Sequence, residues 1–125
     1  MNTTKLFIYG TLRKEAKSHI KPSKSLGLDS VQGKIYDINS HYPGFKHGKG
    51  KVIGEVVEID EANLDLIDTY EGEEYKRVRI TTANGIEAWI YEFIPEVSKS
   101  KEIKSGDWLK RIEKVLEPSY PTHIN

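Results

Sequence analysis

The chain has 125 residues, enough for one domain with its own core, and its 19 Lys plus Arg balance 19 Asp plus Glu. That balance leaves no global field to recommend nucleic acid or an anionic membrane as a partner. The absence of cysteine excludes disulfides, thiolate catalysis and Cys-ligated metal centres, and no stretch approaches the ~20 apolar residues that span a bilayer, so a cytoplasmic protein handling a small molecule is expected.

The first element, KLFIY (5–9), is bulky and apolar on both faces, the pattern of an interior strand covered on both sides, and it stops at Gly10. Gly10 permits a positive φ and a close approach of ligand to backbone. The amides after it are released from the ladder and suit an anion such as a carboxylate. An ordinary strand-to-loop turn accounts for the same break. After a polar connection with room for one helical turn, VQGKIYDI (31–38) reads as a second strand, and NSHYPGFKHGKG (39–50) as a loop. KVIGEVVEI (51–59) is a third strand, in which Gly54 marks a bulge or a close backbone approach.

Asp60 stands where an N-cap belongs, EANLDLIDTY (61–70) carries a helix of about three turns, and Gly72 stands where a C′ residue ends it. Ala83-Asn84-Gly85 between two alternating runs predicts a β-hairpin. In its second strand Trp89, Tyr91 and Phe93 share a face and line a core or cavity. PEVSKSKEIKS (95–105) reads as a charged loop, and Asp107 as the cap of a last amphipathic helix with Trp108, Ile112, Val115 and Leu116 on one side. The reading is one α+β domain over residues 1–117 with a tail over 118–125, its bulged sheet curling into a small barrel.

Two places carry chemistry. Leu64, Ile67 and Glu71 lie at i, i+3 and i+7, so a carboxylate shares the face that two aliphatic side chains turn to the core. Desolvation there raises its pKa toward the range of a general acid or base. The alternative is a Glu71 that turns to water or pairs with Lys76 or Arg77. The second place is the break after Tyr9. Tyr75 alternates with Arg77 and Arg79, so all three point away from Val78 and Ile80, either to solvent or, for Tyr75, into a pocket beside Glu71. Four histidines, His19, His41, His47 and His123, include no closely spaced metal-binding pair, and in HGKGKVIG Gly48 and Gly50 lack a third glycine at the place a dinucleotide fingerprint requires and precede a strand, not a helix.

The blocks YGTLR, HYPGF, GKVIGEVVEID, LIDTYEGEEYKR and SGDW, taken in order from Lys5 to about Leu109, resemble the gamma-glutamylcyclotransferase-like superfamily, and within it the small bacterial YtfP-type members. The resemblance implies a compact mixed β-barrel with flanking short helices and a pocket at the end of the first strand. It implies that the loop Tyr9, Gly10, Thr11 and Leu12 holds a substrate α-carboxylate, that Glu71 is the acid and base, and that Tyr75 stands beside the pocket. The implied activity is release of 5-oxoproline from a γ-glutamyl amine or dipeptide, with no cofactor, no metal and only the small-molecule substrate as partner. The link from EG to Y-x-R is short, without the proline-containing insertion of some animal members, and Glu71 is present where some relatives lack the acid. A module that binds a small carboxylate metabolite in the same pocket, without turnover, is the alternative. The fold alone does not decide between them.

Overall fold

The computed structural model describes residues 2–10 and 23–111. Its strands are β1 (Thr3–Ile8), β2 (Ser23–Ile38), β3 (Tyr42–Asp60), β4 (Tyr75–Thr81), β5 (Glu87–Phe93) and β6 (Lys101–Glu102). A helix, α1 (Leu64–Glu71), follows a 3-10 turn, Glu61–Asn63. They form one mixed sheet in the order β4-β5-β1-β3-β2-β6, which places β1 inside it as its two-sided apolar pattern requires.

The sheet curls because β3 is shared. Its end, Glu55–Asp60, pairs antiparallel with β1, while Phe45 near its start pairs parallel with Glu92 of β5. β5 also runs parallel to β1, through Leu6 and Trp89. Within three residues β5 therefore exchanges β1 for the start of β3 as its neighbour, closing the sheet on itself. At the exchange point the Tyr9 hydroxyl accepts the Phe45 N–H at 3.2 Å and donates to the Tyr91 carbonyl at 2.7 Å. A side chain thus stands in for a rung of the β3–β5 ladder, and both buried backbone groups are satisfied. The abrupt end of β1 follows: its edge of β5 passes to β3.

Alternation along β1 builds two cores. Phe7 and Tyr9 point into the curl with Ile35, Phe45, Val56 and Trp108. Leu6 and Ile8 point to the outer face, where Val57, Ile59 and Tyr91 meet Leu64 and Ile67 of α1. Asp60 caps the 3-10 turn, its carboxylate accepting the Ala62 N–H at 3.0 Å, and the α-helix itself begins only at Leu64, shorter than the three turns expected. It ends at Gly72, whose φ of 89° suits glycine and whose N–H reaches the Asp68 carbonyl at 3.1 Å. The predicted hairpin joins β4 to β5, closed by Thr82 N–H to the Ile86 carbonyl at 2.8 Å.

Expectations for two segments are corrected, and the choice left open at Gly54 is decided. Residues 39–50 are not a loop. Asn39 (φ 54°) and Ser40 (φ 62°) make a tight turn, and β3 starts at Tyr42, running through Pro43, Gly44, Gly48 and Gly50. Pairing with β2 outweighs the turn preference of those residues, and β2 itself reaches back to Ser23. The charged 95–105 segment contains β6, which pairs Lys101 and Glu102 with Asp37 and Tyr36. Gly54 marks a close approach, not a bulge, since the register shifts fall in β2, between Ser25 and Gly27 and between Gln32 and Lys34. A Cβ at Gly54 would lie 2.5 Å from the Ile8 carbonyl and 2.5 Å from the Phe7 ring. Asp107 caps the turn at Trp108, accepting the Leu109 N–H at 3.1 Å. Ile112, Val115, Leu116 and the 118–125 tail lie outside the described residues. No described helix is long and apolar enough to cross a membrane.

Two substitutions test this closure by urea unfolding. Gly54→Ala is expected to cost about 1–3 kcal/mol, because the neighbours at 2.5 Å include backbone that must move. Tyr9→Phe leaves a buried N–H and a buried carbonyl unpaired and is expected to cost about 1–3 kcal/mol. A midpoint unchanged in Tyr9→Phe would mean that the bridge does not hold the sheet closed.

Candidate active site

A cavity of about 550 Å³ opens at the end of β1, within the range of small-molecule sites. Its floor is β1, ending at Tyr9 and Gly10. One rim is the β2–β3 turn with the start of β3, His41, Tyr42 and Pro43. The other is the last turn of α1 and the link to β4, with Tyr70, Glu71, Glu74 and Tyr75, while Tyr91 of β5 closes the back.

Glu71 is half-buried in this wall, and burial pushes its carboxyl up to about 7. It has no hydrogen-bond or ion-pair partner among the described residues, so neither Lys76 nor Arg77 neutralises it. Of the five tyrosines that line the cavity, burial raises the hydroxyls of three, Tyr9, Tyr75 and Tyr91, above their ordinary range, with the Glu71 charge adding to the effect. All three stay protonated, and all three protons are committed elsewhere. Tyr9 donates to Tyr91 O at 2.7 Å, Tyr75 to Pro43 O at 2.6 Å, and Tyr91 to Asp68 Oδ1 at 2.6 Å. The carboxyl between them is left to exchange protons with whatever enters the cavity.

At the start of β4 the face carrying Tyr75 turns to the protein, and farther along it Arg79 is exposed. Tyr75 stacks edge-on against Phe93 at 5.3 Å and Tyr42 at 6.3 Å. Arg77 grips Asp68 with both arms of its guanidinium, Nε to Oδ1 at 2.9 Å and Nη2 to Oδ2 at 3.1 Å. This fork, with a hydrogen bond from Tyr91, holds the Asp68 carboxyl below the usual range. Arg77 and Arg79 lie over the Trp89 ring at 4.5 and 4.9 Å.

Glu71, Tyr9, Gly10 and Tyr75 thus come together around one cavity, while Thr11, Leu12 and Arg13 lie outside the described residues. Gly10 does not adopt a left-handed φ. It is small because a Cβ there would come within 2.9 Å of the Pro43 ring. Sequence reasoning did not single out the Tyr42–Glu74 pair at the mouth, bonded at 2.9 Å, nor Asp68. Asp68 sits one turn before Glu71 and nine residues before Arg77, a spacing that bonds only across the helix-to-strand turn.

Comparison with known proteins agrees with this geometry. The family model described as gamma-glutamyl cyclotransferase, AIG2-like, matches residues 6–110. The gamma-glutamylcyclotransferase family protein YtfP of Escherichia coli is 41% identical over 114 residues, covering 86% of this chain and 97% of that one, and its solution structure matches with a TM-score of 0.69. A crystal structure from Pyrococcus horikoshii matches with a TM-score of 0.73 at 31% identity, over 97% of this chain and 99% of the other. Allophanate hydrolase of Kluyveromyces lactis shares the fold alone, at 14% identity and a TM-score of 0.74 over 92% of this chain and 22% of that one. With its curled sheet, its cavity and these matches, the chain belongs to the gamma-glutamyl cyclotransferase, AIG2-like family.

Proposed function

We propose that the protein is a gamma-glutamylcyclotransferase-type enzyme that releases 5-oxoproline from a γ-glutamyl amine or dipeptide. The observation that supports this reading best is Glu71: a carboxyl pushed up to about 7, without a hydrogen-bond partner among the described residues, in the wall of a cavity sized for a small molecule. The reaction is intramolecular. The substrate's α-nitrogen attacks its γ-carbonyl carbon, a C–N bond forms in the five-membered lactam, and the bond to the departing amine breaks.

The α-ammonium gives up two protons in becoming the lactam N–H, and the amine that departs as an ammonium takes up two. Glu71 as carboxylate takes a proton from the α-ammonium and as acid passes it to the leaving nitrogen, while solvent balances the second. The rest of the site positions the folded-back substrate, as an entropic aid to ring closure. In this reading the loop after Gly10, through the Thr11 and Leu12 amides, takes the α-carboxylate, and the Tyr75 ring packs beside the glutamyl chain. The protein acts as a cytoplasmic enzyme on a free small molecule, with no cofactor required for this chemistry.

Purified protein is expected to release 5-oxoproline from a panel of γ-glutamyl dipeptides and amines, measured by chromatography. Glu71→Gln should lower the rate by about 10²–10⁴-fold while remaining folded. A panel with no product, or a Gln variant as active as the parent, overturns the assignment. Binding of 5-oxoproline or γ-glutamyl compounds without turnover would instead make the cavity a binding module.

The raised pKa of Glu71 has two signatures. As a base it must be ionised, so kcat/KM should fall about tenfold per pH unit below about 6, with an acid limb near 7. For stability the sign is opposite to that of a paired carboxylate. The folded state holds this proton more tightly than the unfolded chain, so stability falls as pH rises from the ordinary Glu range through 7. Glu71→Gln removes that cost and should be more stable than the parent at pH 8, by about 1–3 kcal/mol, with the gain gone by about pH 4. A pH-independent difference in urea midpoints would rule out the raised pKa.

A further inference from the structure

Glu71 has no described hydrogen bond to fix it, yet an acid and base must be held in line with its substrate. It occupies the last turn of a helix of only eight residues, whose buried anchors, Leu64 and Ile67, lie in its first half. What pins the catalytic end is Asp68. Its carboxylate accepts Tyr91 Oη at 2.6 Å from β5 and both arms of Arg77 from β4, and its carbonyl accepts the Gly72 N–H that closes the helix. Asp68 does not line the cavity. Its contacts fall on the far side of Tyr91, facing a second hollow of about 690 Å³ on the outer surface. Tyr75 and Tyr91 line both spaces, so these two residues stand between Glu71's cavity and that outer hollow. Tyr75 is tied to Pro43, and Tyr91 is tied only through Asp68 at its hydroxyl end.

We propose that Asp68 is a positioning residue for Glu71: with Tyr91 and Arg77 it forms a latch that locks the last turn of α1 to β4 and β5 and seals the cavity from the outer hollow. This rests on the reading of Glu71 as the acid and base. Opening the latch admits water behind Tyr91 and frees the end of the helix. The proton affinity of Glu71 then moves toward that of an ordinary carboxylate, because burial is what raises it. The other titratable groups around the cavity, Tyr9, His41, Tyr42, Tyr70, Glu74 and Tyr75, are the same in parent and variants.

The test is to titrate the Glu71 carboxyl by carbon NMR in the full chain and to measure kcat and KM on the substrate that the parent turns over. Tyr91→Phe removes one hydroxyl and no formal charge, so a shift in it does not come from a charge lost or gained. It should lower the Glu71 midpoint by about one pH unit or more, and kcat about tenfold or more with KM little changed. Asp68→Asn should act in the same direction, and the double variant should lose little beyond Asp68→Asn, because the two groups form one latch. Glu87→Gln, which removes the partner of exposed Arg79 on the same strand pair, should change nothing. A Glu71 midpoint unmoved in folded Tyr91→Phe overturns the proposal, and so does a fall in kcat that Glu87→Gln reproduces. If Asp68→Asn does not fold, Tyr91→Phe decides. The NMR midpoint reads the latch whether or not a substrate is found, so failure of the enzymatic reading and failure of the latch are separate results.

Discussion

The Tyr9 hydroxyl, held between the Phe45 N–H and the Tyr91 carbonyl, is the interaction on which the rest of the structure depends. A sheet that exchanges one strand for another beside β5 leaves two backbone groups facing each other across a gap. In a buried place each unpaired group is costly. The phenol fills the gap with one acceptor and one donor and lets β1 leave the sheet. The cavity lies where β1 leaves, so the polar demand that Tyr9 satisfies and the space the protein uses share one origin.

Around that space hydroxyl protons are spent with economy. Three tyrosines stand close enough to Glu71 to feel its charge, and each donates to something else: two to main-chain carbonyls and one to Asp68. An apolar wall would leave the carboxyl equally unpaired, but it would lack the hydrogen bonds that fix the rings in place. The tyrosines give the wall rigidity without giving Glu71 a partner. With neither charge partner nor donor among the described residues, the carboxyl is desolvated, and desolvation accounts for its raised proton affinity.

Much of this was legible in the chain. The interior position of β1, the Asp60 cap, the Gly72 stop and the Asn-Gly hairpin each rest on local chemistry that reads in a few residues, and local and tertiary preferences agree at all of them. Placing Glu71 on the apolar face of α1 needed only the 3.6-residue period. Residues 39–50 were misread because Pro43 and the glycines favour turns, while the pairing that makes them a strand lies with residues 34–38 and 92. The Gly10 position was legible as a small residue, but its cause, the Pro43 ring, comes from another strand. Asp68 was not legible as functional, because its importance lies in contacts to Arg77 and Tyr91 that spacing along one helix does not reveal.

The two bonds of the Tyr9 hydroxyl join residues 36 and 82 positions apart in the chain. Loops of that length close late, since long-range pairing needs the entropy of the intervening chain to be lost first. During synthesis β5 is among the later strands to emerge, and until it docks there is no Tyr91 to back the cavity or to meet Asp68. Glu71 at that stage is an ordinary carboxylate on a short helix. The proton affinity that burial gives Glu71 is therefore acquired in the step that closes the sheet.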